Sequence, residues 1–544
     1  MKAMRKSRVH LSVAAALVGL ASINVVDAQD RLGAITNTGQ ALVFPYYTVN
    51  NGWVTTFNVM NTSDDTVAVK VRFHESKNSR DVLDFNIVMS PYDAWTAWLQ
   101  DSDAGPQLFT TDASCTSPLN VNGANASAVA YTGSFDDGGG TGRNRMREGY
   151  VEMLVMGISD AGNEDLTTTA GPTFPVPYNA KHVDGVPRDC AAVDADFVAN
   201  VDAWKPGNTA ADLPTSYVPA APVCAAPRGY GIEPEPGSGF PDAACDFRGP
   251  AIEEMPLKGN VSWLHAGTGT GAGTEAIAVQ PWNTLNYVTA QQFPWFLEPT
   301  FASGADGGLW TVQNVLFFEA QIQFSAVLNE WANNPVNGAA TDWVVTFPTK
   351  AYHVDKFNDQ IQAAVSKYRN AAAFPTHAVV TNDGAPAAPT DPAATACNAT
   401  RSVCQDVGAP TTLVPFEWLF NVQGDGDSKI TVSYTVYDRE EGEVAGDSTS
   451  ISPAPPGEFP SLRFESNVLQ FGSEPVVDSP NAEVIDASTE LGGAPNGWAQ
   501  GAFELPLPVT AFAIKERNRG EAGTNYGQAM DHGFVLPVNG TPAP

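Results

Sequence analysis

Apolar and polar side chains alternate most clearly in residues 66–74 (TVAVKVRFH). A period of two residues predicts a β-strand with one buried face. The preceding segment, 52–61 (GWVTTFNVMN), is also rich in strand-forming residues. Between the two segments, residues 61–65 (NTSDD) supply side chains that stabilise turns by bonding to their own backbone. The pattern therefore predicts a hairpin. The exposed face of its second, half-buried strand would carry Lys70, Arg72 and His74.

Further apolar segments of strand length recur along the chain, separated by turn residues about ten positions apart. This spacing favours a β-sandwich. We predict a mainly β fold with one or more β-sandwich units, Ig-like or jelly-roll-like, with long disulfide-stapled loops. One amphipathic helix is expected at 355–370, where Asp355 can cap the first turn. The other predicted strands are 84–89, 94–99, 149–156, 258–265, 308–318, 320–328, 343–347, 415–421, 429–437, 461–471, 498–504 and 508–515.

The N-terminus has the pattern of a secretory signal peptide. Basic residues precede an apolar run at 11–21, and Val26 and Ala28 are small residues at the −3 and −1 positions of a cleavage site before Gln29. We therefore expect export to the periplasm, the cell surface or the medium, without membrane insertion of the mature chain. Changes in composition then divide the chain into a signal peptide (1–28), an N-terminal β-sandwich (29–158), a Pro/Gly/Cys-rich insertion (159–255), a central β region (256–354), a helix and loop insertion (355–412) and a C-terminal β region (413–544).

The chain is strongly acidic, with 60 Asp and Glu residues against 29 Lys and Arg residues and a net charge of −31. Such a surface repels phosphate backbones, so nucleic acid is excluded as a partner. Cations are its natural counterparts, but solubility outside the cell is the favoured explanation of the charge.

Six cysteines in an exported chain predict three disulfides, for which fifteen pairings exist. Cys397 and Cys404 are close in sequence, and Cys224 and Cys245 would close a Pro/Gly-rich loop. Cys115 and Cys190 then pair by elimination. A zinc site is disfavoured because no CxxC occurs and no histidine lies at ligand spacing from a cysteine.

The common catalytic motifs are missing from the sequence. HExxH and GxSxG do not occur, the glycines at 267–273 fit no phosphate-binding loop, and the histidines are dispersed. Asp425 and Asp427, in a short Gly/Asp loop, are candidate Ca²⁺ ligands, although a plain hairpin turn is the favoured interpretation of the loop. Weaker candidates of the same kind are Asp101, Asp103, Asp136 and Asp137.

Aromatic residues give a second candidate site, since tryptophans can line a sugar platform, although most are expected in the core. The tryptophans in or beside predicted strands are Trp53, Trp95, Trp98, Trp263, Trp310 and Trp343.

Four segments, 41–53, 67–98, 147–157 and 341–350, together with the C-terminal NYG at 525–527 and His532, resemble a family of secreted, β-rich proteobacterial envelope proteins. The resemblance implies one shared β-rich architecture and an envelope or extracellular location. No activity is established for that family, so the resemblance transfers no functional residue.

Three functional hypotheses follow from the sequence. The first is a non-catalytic structural or adhesive protein of the bacterial surface or matrix, which self-associates. The second is a module that binds carbohydrate or another envelope protein. The third is a secreted hydrolase whose site lacks a recognisable motif. Ca²⁺ is the one cofactor suggested.

Overall fold

The computed structural model describes residues 38–133, 136–165, 176–198, 253–279, 321–354, 424–447, 459–518 and 525–535, together with Glu319, Phe416, Phe420 and Asn421. Several predictions lie outside these residues. They are the signal peptide, the helix at 355–370, the strand at 308–318, Trp310 and the pairs Cys224–Cys245 and Cys397–Cys404.

The described part of the chain is mainly β, as predicted. Its strands are β1 (Ala41–Thr48), β2 (Trp53–Asn61), β3 (Thr66–Glu75), β4 (Asp81–Met89), β5 (Ala94–Ser102), β6 (Gly105–Phe109), β7 (Cys115–Ser117), β8 (Glu148–Ser159), β9 (His182–Val183), β10 (Val186–Pro187), β11 (Leu257–His265), β12 (Thr270–Glu275), β13 (Ile277–Val279), β14 (Gln323–Asn334), β15 (Ala339–Thr346), β16 (Val432–Asp438), β17 (Glu443–Asp447), β18 (Ser466–Phe471), β19 (Glu483–Ile485), β20 (Asn496–Pro508), β21 (Thr510–Arg517), β22 (Tyr526–Asp531) and β23 (Gly533–Val535). Short helices are α1 (Val176–Ala180), α2 (Cys190–Val198), α3 (Lys350–Val354) and α4 (Ala487–Glu490).

Three large sheets organise these strands. Sheet 1 has the order β13-β1-β8-β3-β4-β7, and sheet 2 has the order β12-β11-β2-β5-β6. Sheet 3 has ten strands in two halves, because β14 and β15 pair only beside their turn. Half 3a contains β17-β16-β20-β14-β23, and half 3b contains β22-β21-β15-β18-β19.

Sheets 1 and 2 pack face to face as a sandwich. Phe57 of sheet 2 lies between Phe44 and Phe73 of sheet 1, with ring centroids 5.6 and 5.4 Å away. Phe85 of sheet 1 meets Trp95 of sheet 2 at 5.6 Å. These edge-to-face and tilted contacts are geometries that aromatic rings prefer in protein cores.

Strands from the later part of the chain join the same core. Trp263 of β11 stacks on Phe512 of β21, with centroids 4.6 Å apart. Val344 and Ile514 of half 3b belong to the same buried cluster, while the other face of half 3b packs with half 3a around Trp343. N-terminal and C-terminal strands thus share both large hydrophobic clusters. The predicted domain boundaries stay a prediction.

The predicted hairpin of 52–61 and 66–74 is wrong, although both strands and the turn between them exist. β2 pairs with β11 and β5 in sheet 2, whereas β3 pairs with β4 and β8 in sheet 1. In the turn, the Asn61 side chain donates to the carbonyl of Asp65 and accepts from the Ser63 amide. The chain crosses between sheets because the apolar faces of β2 and β3 bury each other across the core.

The prediction of a half-buried β3 is also wrong, because all ten of its residues are buried. Sheet 1 is covered on both faces: one faces sheet 2, and the other carries residues of two further buried clusters. Lys70, Arg72 and His74 are each 0 % exposed. The polar face of β3 therefore contributes to a buried ionic layer.

The disulfide between Cys115 and Cys190 confirms the pairing predicted by elimination. It attaches α2 to the edge strand β7, where Val176, Ala180 and Val193 cover the outer face of sheet 1. Residues 176–198 of the predicted insertion thus contribute a cover for the sheet.

Replacing both Cys115 and Cys190 by serine is expected to lower the free energy of unfolding by about 2–4 kcal/mol, because the bond closes a long loop in the unfolded chain. The midpoint of urea-induced unfolding of the oxidised protein measures this effect. An unchanged midpoint would show that the cover is held by packing alone.

Candidate functional site

The outer face of sheet 2 is formed by alternate residues of β2, β5 and β11. In β2, every second side chain is buried and those between are half-buried. Thr56 lies between Trp98 of β5 and Ser262 of β11, and Asn58 lies between Thr96 and Asn260 in the next row. Strand register therefore places hydroxyl, amide and indole groups side by side on one face.

These residues line an open trough of about 560 Å³. The lining residues are Thr56, Phe57, Asn58, Met60, Thr96, Ala97, Trp98, Asn260 and Ser262. None is charged, although the chain has 60 acidic and 29 basic residues. The lining itself therefore offers an ionic ligand no electrostatic partner, and Lys258, the register partner of Met60, is paired with Glu275 at 3.1 Å.

Trp98 borders the trough and has a fixed orientation. Its ring stacks on Phe109 of β6, with centroids 5.7 Å apart and an interplanar angle of 17°. The indole N–H donates to Oε1 of Gln100 at 3.3 Å. Because Phe109 and Thr56 are its neighbours on opposite sides, one ring face is covered and the other borders the trough.

The floor of the trough carries uncharged polar side chains. Thr56 lies beside Ser262, Asn58 lies between Thr96 and Asn260, and the Thr56 hydroxyl donates to the Ser262 carbonyl at 3.3 Å. Amides and hydroxyls beside an aromatic ring suit a neutral polyhydroxylated ligand. The lining has no carboxylate, histidine or lysine that could serve as a general acid or base.

No protein-family model, curated protein or solved structure matches this chain. The resemblance to secreted envelope proteins thus stays an expectation, and function has to be argued from the site.

The candidate calcium ligands Asp425 and Asp427 both contact side-chain cations. Oδ2 of Asp425 accepts from Lys429 at 2.8 Å, and Oδ2 of Asp427 accepts from Nε of Arg463 at 2.6 Å. The Asn421 side chain closes the loop by accepting from the Gly426 amide. Calcium binding here stays a prediction, and a bound ion would have to compete with Lys429 and Arg463.

The weaker aspartate candidates also have partners within the protein. Asp101 pairs with Arg147, the carbonyl of Asp103 accepts from Arg143, Asp136 accepts from the Gly138 amide, and Asp137 is fully buried against Arg145. Within the described ranges, no group of three or more His, Cys, Asp or Glu side chains could hold a metal ion. In the same ranges, no helix is long and apolar enough to cross a membrane.

Most of the tryptophans listed from the sequence are core residues. Trp53, Trp95, Trp263 and Trp343 are at most 3 % exposed, whereas Trp98 is half-buried on the outer face. Trp95 and Trp98 are three residues apart in AWTAWL, so strand alternation places them on opposite faces but does not say which face is buried. His532 is also a core residue, lying edge-on to the Trp343 ring at 4.6 Å, and burial lowers its pKa to about 3.

Sequence reasoning missed a buried ionic cluster at the end of β3. Arg145 binds Glu75 through Nε and Nη2, at 2.7 and 2.9 Å, and binds Asp137 through Nη1 and Nη2, both at 2.6 Å. Its guanidinium also lies over the Tyr131 ring, 4.6 Å from the centroid. A Cβ at residue 139 would lie 2.7 Å from Nη1 of Arg145, so Gly139 permits the close approach of this loop.

A second ionic group lies on the buried face of β3. Arg72 binds Asp81 through Nε at 2.8 Å, and Nε2 of His74 lies 2.9 Å from Oε1 of Glu152. The His74 ring stacks on Tyr150 at 4.9 Å. The sequence signal for this group was Glu152 within the apolar segment GYVEMLVM, because a carboxylate in a buried strand requires a partner. With no solvent access, the group stabilises the fold rather than binding a ligand.

Proposed function

We propose that this chain is an exported, non-catalytic adhesive protein that binds a neutral polysaccharide through the outer face of sheet 2. The observation that carries the proposal is the uncharged trough bordered by Trp98. Export is supported by the signal-peptide pattern of residues 1–28. This proposal combines the first two sequence hypotheses, since a surface protein can adhere by binding a carbohydrate. Such binding needs no catalytic group.

The chemistry of the trough favours pyranose rings over other ligands. Sugar rings present C–H groups that pack on an aromatic face and hydroxyls that exchange hydrogen bonds with amides and hydroxyls. Anionic polymers would approach a protein of net charge −31 without finding a compensating cation in the trough.

Replacing Trp98 by alanine is expected to weaken binding to a neutral polysaccharide about tenfold, equivalent to about 1.4 kcal/mol. Retardation of the mature protein in native gels containing hydroxyethylcellulose, laminarin or glycol chitin measures affinity, and alginate supplies the anionic comparison. Tyr526→Ala removes an exposed aromatic residue outside the trough and should not change the retardation.

A second variant separates binding from packing. Asn260→Asp places a charge in the trough without removing a side chain, and it should also weaken binding while leaving the thermal unfolding midpoint unchanged. Equal retardation of the native protein and both trough variants would contradict the proposal, as would stronger retardation by alginate.

A further inference from the structure

A second aromatic pair lies on the outer face of half 3a. Tyr437 of β16 and Trp498 of β20 are register partners, and their rings stack with centroids 4.2 Å apart at an interplanar angle of 14°. Trp498 is 41 % exposed. Trp498 thus resembles Trp98: each indole stacks on an aromatic ring of the neighbouring strand and borders the solvent.

The neighbouring row on this face is polar and uncharged. Thr435 of β16 is the register partner of Gln500 of β20, two residues along each strand from the aromatic pair. A hydroxyl and an amide therefore lie one step from the rings, on the same side of the sheet. This is again the combination of aromatic surface and hydrogen-bonding groups that suits a sugar ring.

Two carboxylates flank the aromatic pair. Glu330 of β14 is the register partner of Trp498 on its other side, and its carboxylate binds the ammonium group of Lys515. Glu443 of β17 is the register partner of Tyr437 on its other side and is exposed. An anionic polysaccharide would meet both carboxylates, whereas the hydroxyls of a neutral sugar can donate hydrogen bonds to them.

We infer that the Tyr437–Trp498 face of half 3a is a second saccharide-binding surface, which takes a neutral pyranose chain independently of the trough on sheet 2. This inference rests on the proposed function for the nature of the ligand but on different residues for the site. One protein molecule then holds two polysaccharide segments, and avidity for a polymer exceeds the affinity of either face.

The test compares four mature proteins in the neutral polysaccharide gel that retards the native protein most. They are the native protein, Trp98→Ala, Trp498→Ala and the double variant, with Tyr526→Ala as the exposed aromatic control. Each single variant should lose about tenfold in affinity, and the double variant should migrate as it does without polysaccharide. Far-UV and near-UV circular dichroism of each variant should match the native protein.

The outcomes separate the two claims. If Trp498→Ala is retarded like the native protein while Trp98→Ala loses all retardation, the second surface is overturned and the first stands. If Trp498→Ala alone abolishes retardation, the proposed trough on sheet 2 is wrong. If no gel retards the native protein, or all four proteins migrate alike, both claims fail.

Discussion

Replacing Arg145 by methionine is expected to lower the free energy of unfolding by about 3–5 kcal/mol, the range found when one partner of a buried ion pair is removed. Arg145 is 4 % exposed, and its two carboxylate partners, Glu75 and Asp137, are each 0 % exposed. Methionine fills a similar volume but leaves both carboxylates without the guanidinium. The cost comes mainly from these two buried charges, not from the loss of packing.

The remaining contacts of the two carboxylates compensate for this loss only in part. Oε1 and Oε2 of Glu75 accept from the backbone amides of Lys77, Asn78 and Arg80, and Oδ2 of Asp137 accepts from Nε of Arg80 at 3.2 Å. These contacts fix both carboxylates in place. Arg145→Lys keeps the charge but cannot bind two carboxylates bidentately, so an intermediate loss is expected.

Urea-induced unfolding at pH 7 measures the effect, with Arg143→Met as the matched control. Arg143 lies in the same short 3₁₀ helix (Arg143–Arg147), is exposed, and donates a hydrogen bond to the carbonyl of Asp103. The control should change the unfolding midpoint little. If Arg143→Met and Arg145→Met were equally stable, the cluster would not contribute to stability.

The same variant should respond differently to acid. Burial alone would raise the pKa of Asp137, but the hydrogen bonds and charge of Arg145 hold it well below its usual range. A lowered pKa stabilises the folded state at neutral pH, and this contribution is lost as the pH falls. The stability gap between the native protein and Arg145→Met should therefore narrow towards pH 3. A gap that widens in acid would contradict this assignment.

How much the sequence could predict depended on the range of the interactions involved. The apolar segments that predicted strands at 84–89, 94–99 and 258–265 are a local property of the sequence, and β4, β5 and β11 cover these segments. Which sheet a strand joins is not local. The hairpin of β2 and β3 was predicted because they are neighbours in sequence, but β2 pairs with β11, about 200 residues later.

The candidate site shows the same limit. Its lining residues come from β2, β5 and β11, so no continuous motif encodes the trough. The sequence listed Trp98 and Trp95 together as sugar-platform candidates. Only the structure of sheet 2 shows that Trp95 is buried and that Trp98 lies on the outer face. In β3, Arg72, His74 and Glu75 needed partners from β4, β8 and the 3₁₀ helix at Arg143–Arg147, which single-strand periodicity cannot reveal.

Replacing Asp342 by asparagine is expected to remove a pH dependence of stability worth up to about 4 kcal/mol, at 1.36 kcal/mol for each pH unit by which the pKa is moved. Asp342 of β15 is 0 % exposed, and its Oδ2 accepts from the backbone amides of Val476 and Val477 at 2.8 and 2.9 Å. Burial raises the pKa of Asp342 to about 7, because the two amides only partly offset the cost of desolvating the charge.

The sign follows from proton binding. In the unfolded chain an aspartate titrates at about 3.9, so between that pH and about 7 the folded state holds a proton that the unfolded state has released. The free energy of unfolding therefore falls as the pH rises through this range. Asparagine keeps the acceptor oxygen for Val476 and Val477 but cannot ionise. The free energy of unfolding of Asp342→Asn should not show this fall. Relative to the native protein, the variant should therefore be more stable at pH 8 than at pH 4.

The measurement is the free energy of unfolding of the native protein and Asp342→Asn at unit pH steps from 4 to 8, with Asp64→Asn, in the exposed turn after β2, as the control. Glu148 is a second buried carboxylate that contacts the segment after Val477, because it accepts hydrogen bonds from Ser479 and Asn481. Burial also raises the pKa of Glu148, so part of the pH dependence of stability should remain in Asp342→Asn. Parallel stability curves for the native protein and Asp342→Asn would show that Asp342 is ionised throughout. The backbone amides of Val476 and Val477 would then be sufficient to stabilise a buried carboxylate in β15, where half 3b packs against the sandwich of sheets 1 and 2.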